Sequence, residues 1–159
     1  MGQSPEPFPS IYCLVGRITI EWAYLEIALD QCVFTIRART GKTIEKETPR
    51  AFERKRRFVQ AAMNKAPEFA IFVDECLALL ERANALAKER NERVHGAIFG
   101  EEGQETIVRF IGYDFAHDLP VIRHRETTLL NLDDLAKRIA RLGQEMAQFS
   151  SRLASKFGR

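Results

Sequence analysis

Arg90, Asn91 and His95 stand close together where an apolar helical pattern ends, and Gly96 follows directly. A permanent guanidinium, an amide and an imidazole that titrates near neutrality are the groups needed to cut a ribose-phosphate backbone. In that reaction the 2′-hydroxyl loses a proton as it attacks the adjacent phosphorus, and the leaving 5′-oxygen gains one. His95 can serve either transfer, a contribution of roughly 10² to 10⁴ in rate. Arg90 suits the extra negative charge on the phosphorane oxygens, and Asn91 can orient the imidazole or donate to a phosphate. A helix C-terminus favours the protonated imidazole by on the order of 1 kcal/mol.

Spacing sets a condition on this chemistry. Asn91 and His95 are one helical turn apart and share a face, whereas Arg90 and His95 diverge by roughly 140° on an ideal helix. Convergence needs the long Arg90 side chain to curl round, the last turn to loosen before Gly96, or a second copy of the chain to bring its own set to the same cleft.

The element that must carry these residues is a third helix opened by Pro67. Phe72, Cys76, Leu79, Ala83 and Leu86 form its apolar seam, and the next position on that seam is Arg90. An unpaired buried charge costs several kcal/mol, so Arg90 must meet a carboxylate or face a cleft. Glu26, an acid between Trp22 and Leu29 on the first helix, is the matching irregularity and the candidate support for Arg90.

Ser10 is expected to cap that first helix, and Ile11, Leu14, Ile18, Trp22, Leu25, Leu29, Cys32 and Ile36 advance along it by threes and fours. Ile20, Ala23, Ile27 and Phe34 make a second stripe, which implies a neighbour on two sides or a second copy of the chain. Residues 40–46 read as a loop. A second helix is expected from a Thr48 cap and Pro49 to about Lys65, with Phe52, Val59 and Met63 inward. The run Arg54-Lys55-Arg56-Arg57 covers all sides of that helix and reads as a solvated face closing over the core. Arg54 and Arg57, with Arg93, are the candidate RNA contacts.

After Gly96 the period changes. Residues 97–99, 106–111 and 121–125 read as short strands joined by turns at 100–103 and 112–120, and Asn131 is expected to cap a last helix carrying Leu132, Leu135, Ile139, Leu142, Met146, Phe149 and Leu153. The fold class is mainly α, a four-helix bundle with a small antiparallel hairpin or three-stranded sheet between the third and last long helices. Residues 1–159 form one domain with a flexible leader at 1–9.

A net charge of +2, from 24 Lys+Arg against 22 Asp+Glu, excludes a global basic field, so any nucleic-acid contact is local. Cys13, Cys32 and Cys76 each fall in an apolar helical pattern and read as reduced thiols in a core. The leader lacks the pattern of a signal peptide, and no apolar stretch approaches the roughly 18 residues of a membrane span; a cytoplasmic location is expected. His117 and His124 lack an HxxxH or Cys partner, so neither metal nor other cofactor is expected. Gly100 and Gly103 lead into a strand without a following Lys-Ser/Thr, which speaks against a phosphate-cradling loop. Arg123 and Arg125, with Arg109, read as solvated strand charges.

Arg90, Asn91, Val94, His95 and Gly96 at the end of a long helix, preceded by an amphipathic helix bearing Trp22 and Glu26, resemble the signature of the HEPN superfamily over roughly residues 11–99. The resemblance implies a homodimer with its active sites in a groove between subunits, and metal-independent endoribonuclease activity of a toxin or phage-defence effector. It also implies an antitoxin partner such as a minimal nucleotidyltransferase. The alternative is a non-catalytic module of the same fold that binds a nucleotide, RNA or a protein segment. The sheet-forming segment after Gly96 departs from the minimal all-helical pattern.

Overall fold

Apolar residues recurring every third and fourth position produce four α-helices, and alternation produces one small sheet, among the residues that the computed structural model describes: 9–41, 44, 47–94, 97–99, 107–114 and 121–157. In chain order these are α1 (Pro9–Thr40), α2 (Phe52–Lys65), a 3₁₀ turn (Pro67–Phe72), α3 (Val73–Val94), β1 (Ala97–Phe99), β2 (Ile107–Asp114), β3 (Val121–Thr128) and α4 (Leu129–Phe157). The mainly helical class, with an antiparallel sheet between the third and last long helices, is the one the sequence implies. No helix among the described residues is long and apolar enough to cross a membrane.

The chain divides into two compact units, Met1–Ile20 with Ala87–Arg138 and Glu21–Leu86 with Ile139–Arg159. The second is a helical bundle. Trp22, Leu25, Leu29, Cys32 and Ile36 of α1 are buried with Phe58, Val59 and Met63 of α2, with Cys76, Leu79 and Ala83 of α3, and with Ile139, Leu142, Met146, Phe149 and Leu153 of α4. Gly143 brings α4 against the α1 backbone: a Cβ there would lie 3.6 Å from the Leu25 nitrogen. At one end of the bundle Phe69 meets Phe157 edge-on at 5.0 Å and Phe72 meets Phe149 at 5.8 Å, arrangements worth about 0.5–1.5 kcal/mol each beyond area burial. Helix α1 stops at Gly41, whose φ of 64° is left-handed and whose nitrogen donates to the Arg37 carbonyl at 2.8 Å.

Several local expectations change. Helix α1 already includes Pro9, so Ser10 lies inside it and is not its cap. Helix α2 does not start from a Thr48 cap and Pro49; its N-cap is Ala51, extended at φ −76° and ψ 145°, with no side-chain capping bond. Phe52, at the first helical position, rests on Trp22 with ring centroids 4.9 Å apart, so aromatic packing sets the start. Pro67 opens a 3₁₀ turn rather than α3 itself. Cys13 is exposed, while Cys32 and Cys76 are buried, all three as free thiols; on the long α1 the position lies off the buried stripe.

The other unit is built on the sheet, an antiparallel meander in the order β1-β2-β3. Val108 pairs with Thr127 and Phe110 with Arg125, while Arg109 pairs with Glu126. Directly paired residues share a face, so Val108, Phe110, Arg125 and Thr127 lie on one side and Arg109 and Glu126 on the other. Val108, Phe110 and Thr127 are buried, along with Leu132, Leu135 and Ala136 of α4. Strand β3 passes into α4 without a loop, and the cap is therefore Thr128, not Asn131: Thr128 Oγ1 accepts from the Asn131 nitrogen at 3.1 Å.

Candidate active site at the end of α3

The seam that starts at Phe72 of the 3₁₀ turn is buried along α3 through Leu86 and carries on to Arg90, which is half-buried. Its Nη1 donates to Asn91 Oδ1 at 3.0 Å, and its Nε is buried without a hydrogen-bond partner. With Oδ1 engaged by the guanidinium, the Asn91 amide nitrogen is left as its donor side. Arg90 and Asn91 therefore act as one polar unit at the end of the helix. His95 and Gly96, like His117, Gly100 and Gly103, lie outside the described residues.

Glu26 is placed by its own turn and by α2. Trp22 Nε1 donates to Glu26 Oε1 at 3.1 Å, and Lys55 Nζ lies 3.9 Å from Glu26 Oε2. Lys55 also bonds Asp30 at 2.9 Å and is only 6% exposed. The run at 54–57 is thus not one solvated face: its second residue is a buried cation between two acids of α1. Arg56 and Arg57 both clamp Glu53, at 2.7 and 2.8 Å, and the hydrogen bond from Arg56, then that from Arg57, holds the Glu53 carboxyl down to about 2. Arg54 is exposed and sits 3.8 Å from Glu47.

Arg93 is held as a strut. Its Nη1 donates to Thr127 Oγ1 at 2.6 Å and its Nη2 pairs with Glu89 at 3.1 Å, while Glu89 also takes Arg138 of α4 at 2.8 Å. Next to it, Glu92 pairs with Arg125 of β3. Between α3 and the sheet these residues enclose a cavity of about 220 Å³ lined by Glu92, Arg93, Phe110, Arg125, Glu126 and Thr127. Two of the strand arginines are accordingly not simply solvated: Arg125 turns toward α3, whereas Arg109 lies on the opposite face with Glu126 at 2.7 Å; the Arg123 side chain lies outside the described residues. The alternation that puts Arg125 and Thr127 on one side was available in the sequence. Their meeting with Glu92 was not, because helix and strand pattern carry no docking information. His124 is exposed.

Burial disfavours the thiolate at both buried cysteines. Burial, with a smaller contribution from Glu75, pushes Cys76 up to about 12, and burial raises Cys32 further above the usual thiol range. Among the described residues no group of three or more His, Cys, Asp or Glu is placed to hold a metal ion. Comparison of the chain with protein-family models, with curated proteins and with solved structures returns no match.

Proposed function

We propose that this chain is a metal-independent endoribonuclease of the HEPN type that cleaves RNA through attack of the 2′-hydroxyl. The supporting observation is the Arg90–Asn91 pair at the end of α3, set on the helix that leads directly into His95. Arg90 stabilises the charge that develops on the phosphorane oxygens. Asn91 keeps its amide protons for phosphate or imidazole, and His95 moves the proton. Glu26, tied to Trp22 and Lys55, is the candidate supporting residue.

Two copies would associate through α1. Tyr24, Ile27 and Phe34 are 54–65% exposed, and with Gln31 they alternate by threes and fours, the seam of a two-helix coil. A small toxin of this kind would be restrained by a partner such as a minimal nucleotidyltransferase. Incubation with mixed RNA in EDTA is expected to yield 2′,3′-cyclic phosphate ends, and His95→Ala to abolish them with the fold intact by circular dichroism. Undiminished cutting by that variant would remove His95 from the mechanism. Absence of cutting by the native chain, with RNA still bound, would favour the non-catalytic binding module.

A further inference from the structure

The cavity between α3 and the inner face of the sheet has the size and polarity of a base pocket, and we propose that it recognises guanine in the RNA substrate. At about 220 Å³ it is smaller than the roughly 300–1,000 Å³ of sites for drug-sized ligands and suits a single planar heterocycle. Phe110, 2% exposed, supplies an apolar wall. The polar edge is the Glu92–Arg125 pair, in which Arg125 Nη1 meets Glu92 Oε2. That contact uses one lone pair of Oε2, so both carboxylate oxygens can still accept and the guanidinium keeps further N–H groups, and an acceptor edge and a donor stand side by side.

Guanine fits this edge better than the other bases. It alone offers a carboxylate two parallel N–H groups, N1–H and the N2 amine, beside O6 and N7, which accept from a guanidinium. Adenine, cytosine and uracil each give the carboxylate one such donor site. Two details keep the edge in place. Arg93 is fixed by Thr127 and Glu89, which holds the end of α3 on β3. The Glu126 carboxylate, although its residue borders the cavity, is engaged by Arg109 on the opposite face of the sheet and does not compete for Arg125.

The inference deepens the ribonuclease reading and rests on it only for the polymer that brings the base. Binding of GMP, IMP, AMP and CMP to the full chain, followed by calorimetry, tests it. GMP should bind at least about tenfold more tightly than AMP or CMP, with IMP between them because it lacks the N2 amine. Glu92→Gln should bring GMP to the AMP level. Arg125→Lys keeps the charge opposite Glu92 but loses the planar fork, and it should erase the preference in a chain whose melting temperature is unchanged, which decides the matter should Glu92→Gln unfold. Equal affinities for the four nucleotides, absence of binding, or a preference that survives both variants would overturn the proposal. RNA cleavage without preference for guanine would leave the nuclease standing and remove the pocket; selective GMP binding by a chain that cuts no RNA would do the reverse.

Discussion

The chain carries two basic segments of similar length, at 54–57 on α2 and at 90–93 on α3, and they are used in different ways. In the first, every cation has a carboxylate close by: Lys55 is buried on Asp30, Arg56 and Arg57 share Glu53, and Arg54 lies near Glu47. In the second, Arg90 bonds the Asn91 amide, Arg93 bonds both Thr127 and Glu89, and Arg93 lines a cavity with Glu92 and Arg125. What a run of cations does is decided by the acids that neighbouring turns and helices present to it. The first segment is a joint between α1 and α2, whereas the second borders a cavity that a ligand can enter.

The sharpest way to break this contrast is to remove one cation from each segment. Arg90→Ala is expected to lower RNA cleavage by at least about 10²-fold; a variant as active as the native chain would place the chemistry elsewhere. Lys55→Ala is expected to act on stability instead. It leaves Asp30 and Glu26 facing each other, and because both side chains are about one-third exposed the loss should be about 2 kcal/mol, below the roughly 3–5 kcal/mol for a fully buried pair. Urea unfolding measures it, and Lys55→Met should recover part of the loss through apolar volume.

Acid probes the same segment more gently. The Glu53 carboxyl titrates at about 2 when folded against an ordinary 4.5, so its contribution is complete above about pH 4.5 and is lost as pH falls toward 2. Glu53 is 42% exposed, and solvent screening reduces the effect to under about 1 kcal/mol. Glu53→Gln should flatten that part of the stability profile; an unchanged profile would mean that the Arg56 and Arg57 contacts contribute nothing net. The smallest change is expected for Arg54→Ala, within about 0.5 kcal/mol of native stability, and a large loss of RNA affinity there would turn the exposed end of α2 into a binding surface.

Much of the helical frame was legible from periodicity. The seam of α3 and the stripe of α4 are buried where the three-four spacing put them, because burial on a helix follows an angular rule that the sequence already contains. The starts of α2 and α4 were not legible, since the packing of Phe52 on Trp22 and the direct passage from β3 into Thr128 depend on what the chain meets in space. Lys55 is the clearest case: four adjacent cations look alike in one dimension, and only the nearness of Asp30 singles out the one that is buried.

The sequence by itself singled out residues whose types suit RNA cleavage, and it placed Arg90 on an otherwise apolar line, because residue type and helical phase are local properties. Tertiary structure alone decided which acid each cation meets, that Arg125 and Thr127 look toward α3, and that Glu92 completes a pocket with them. Those outcomes rest on distances of a few ångströms between segments remote in the chain, which no local pattern encodes.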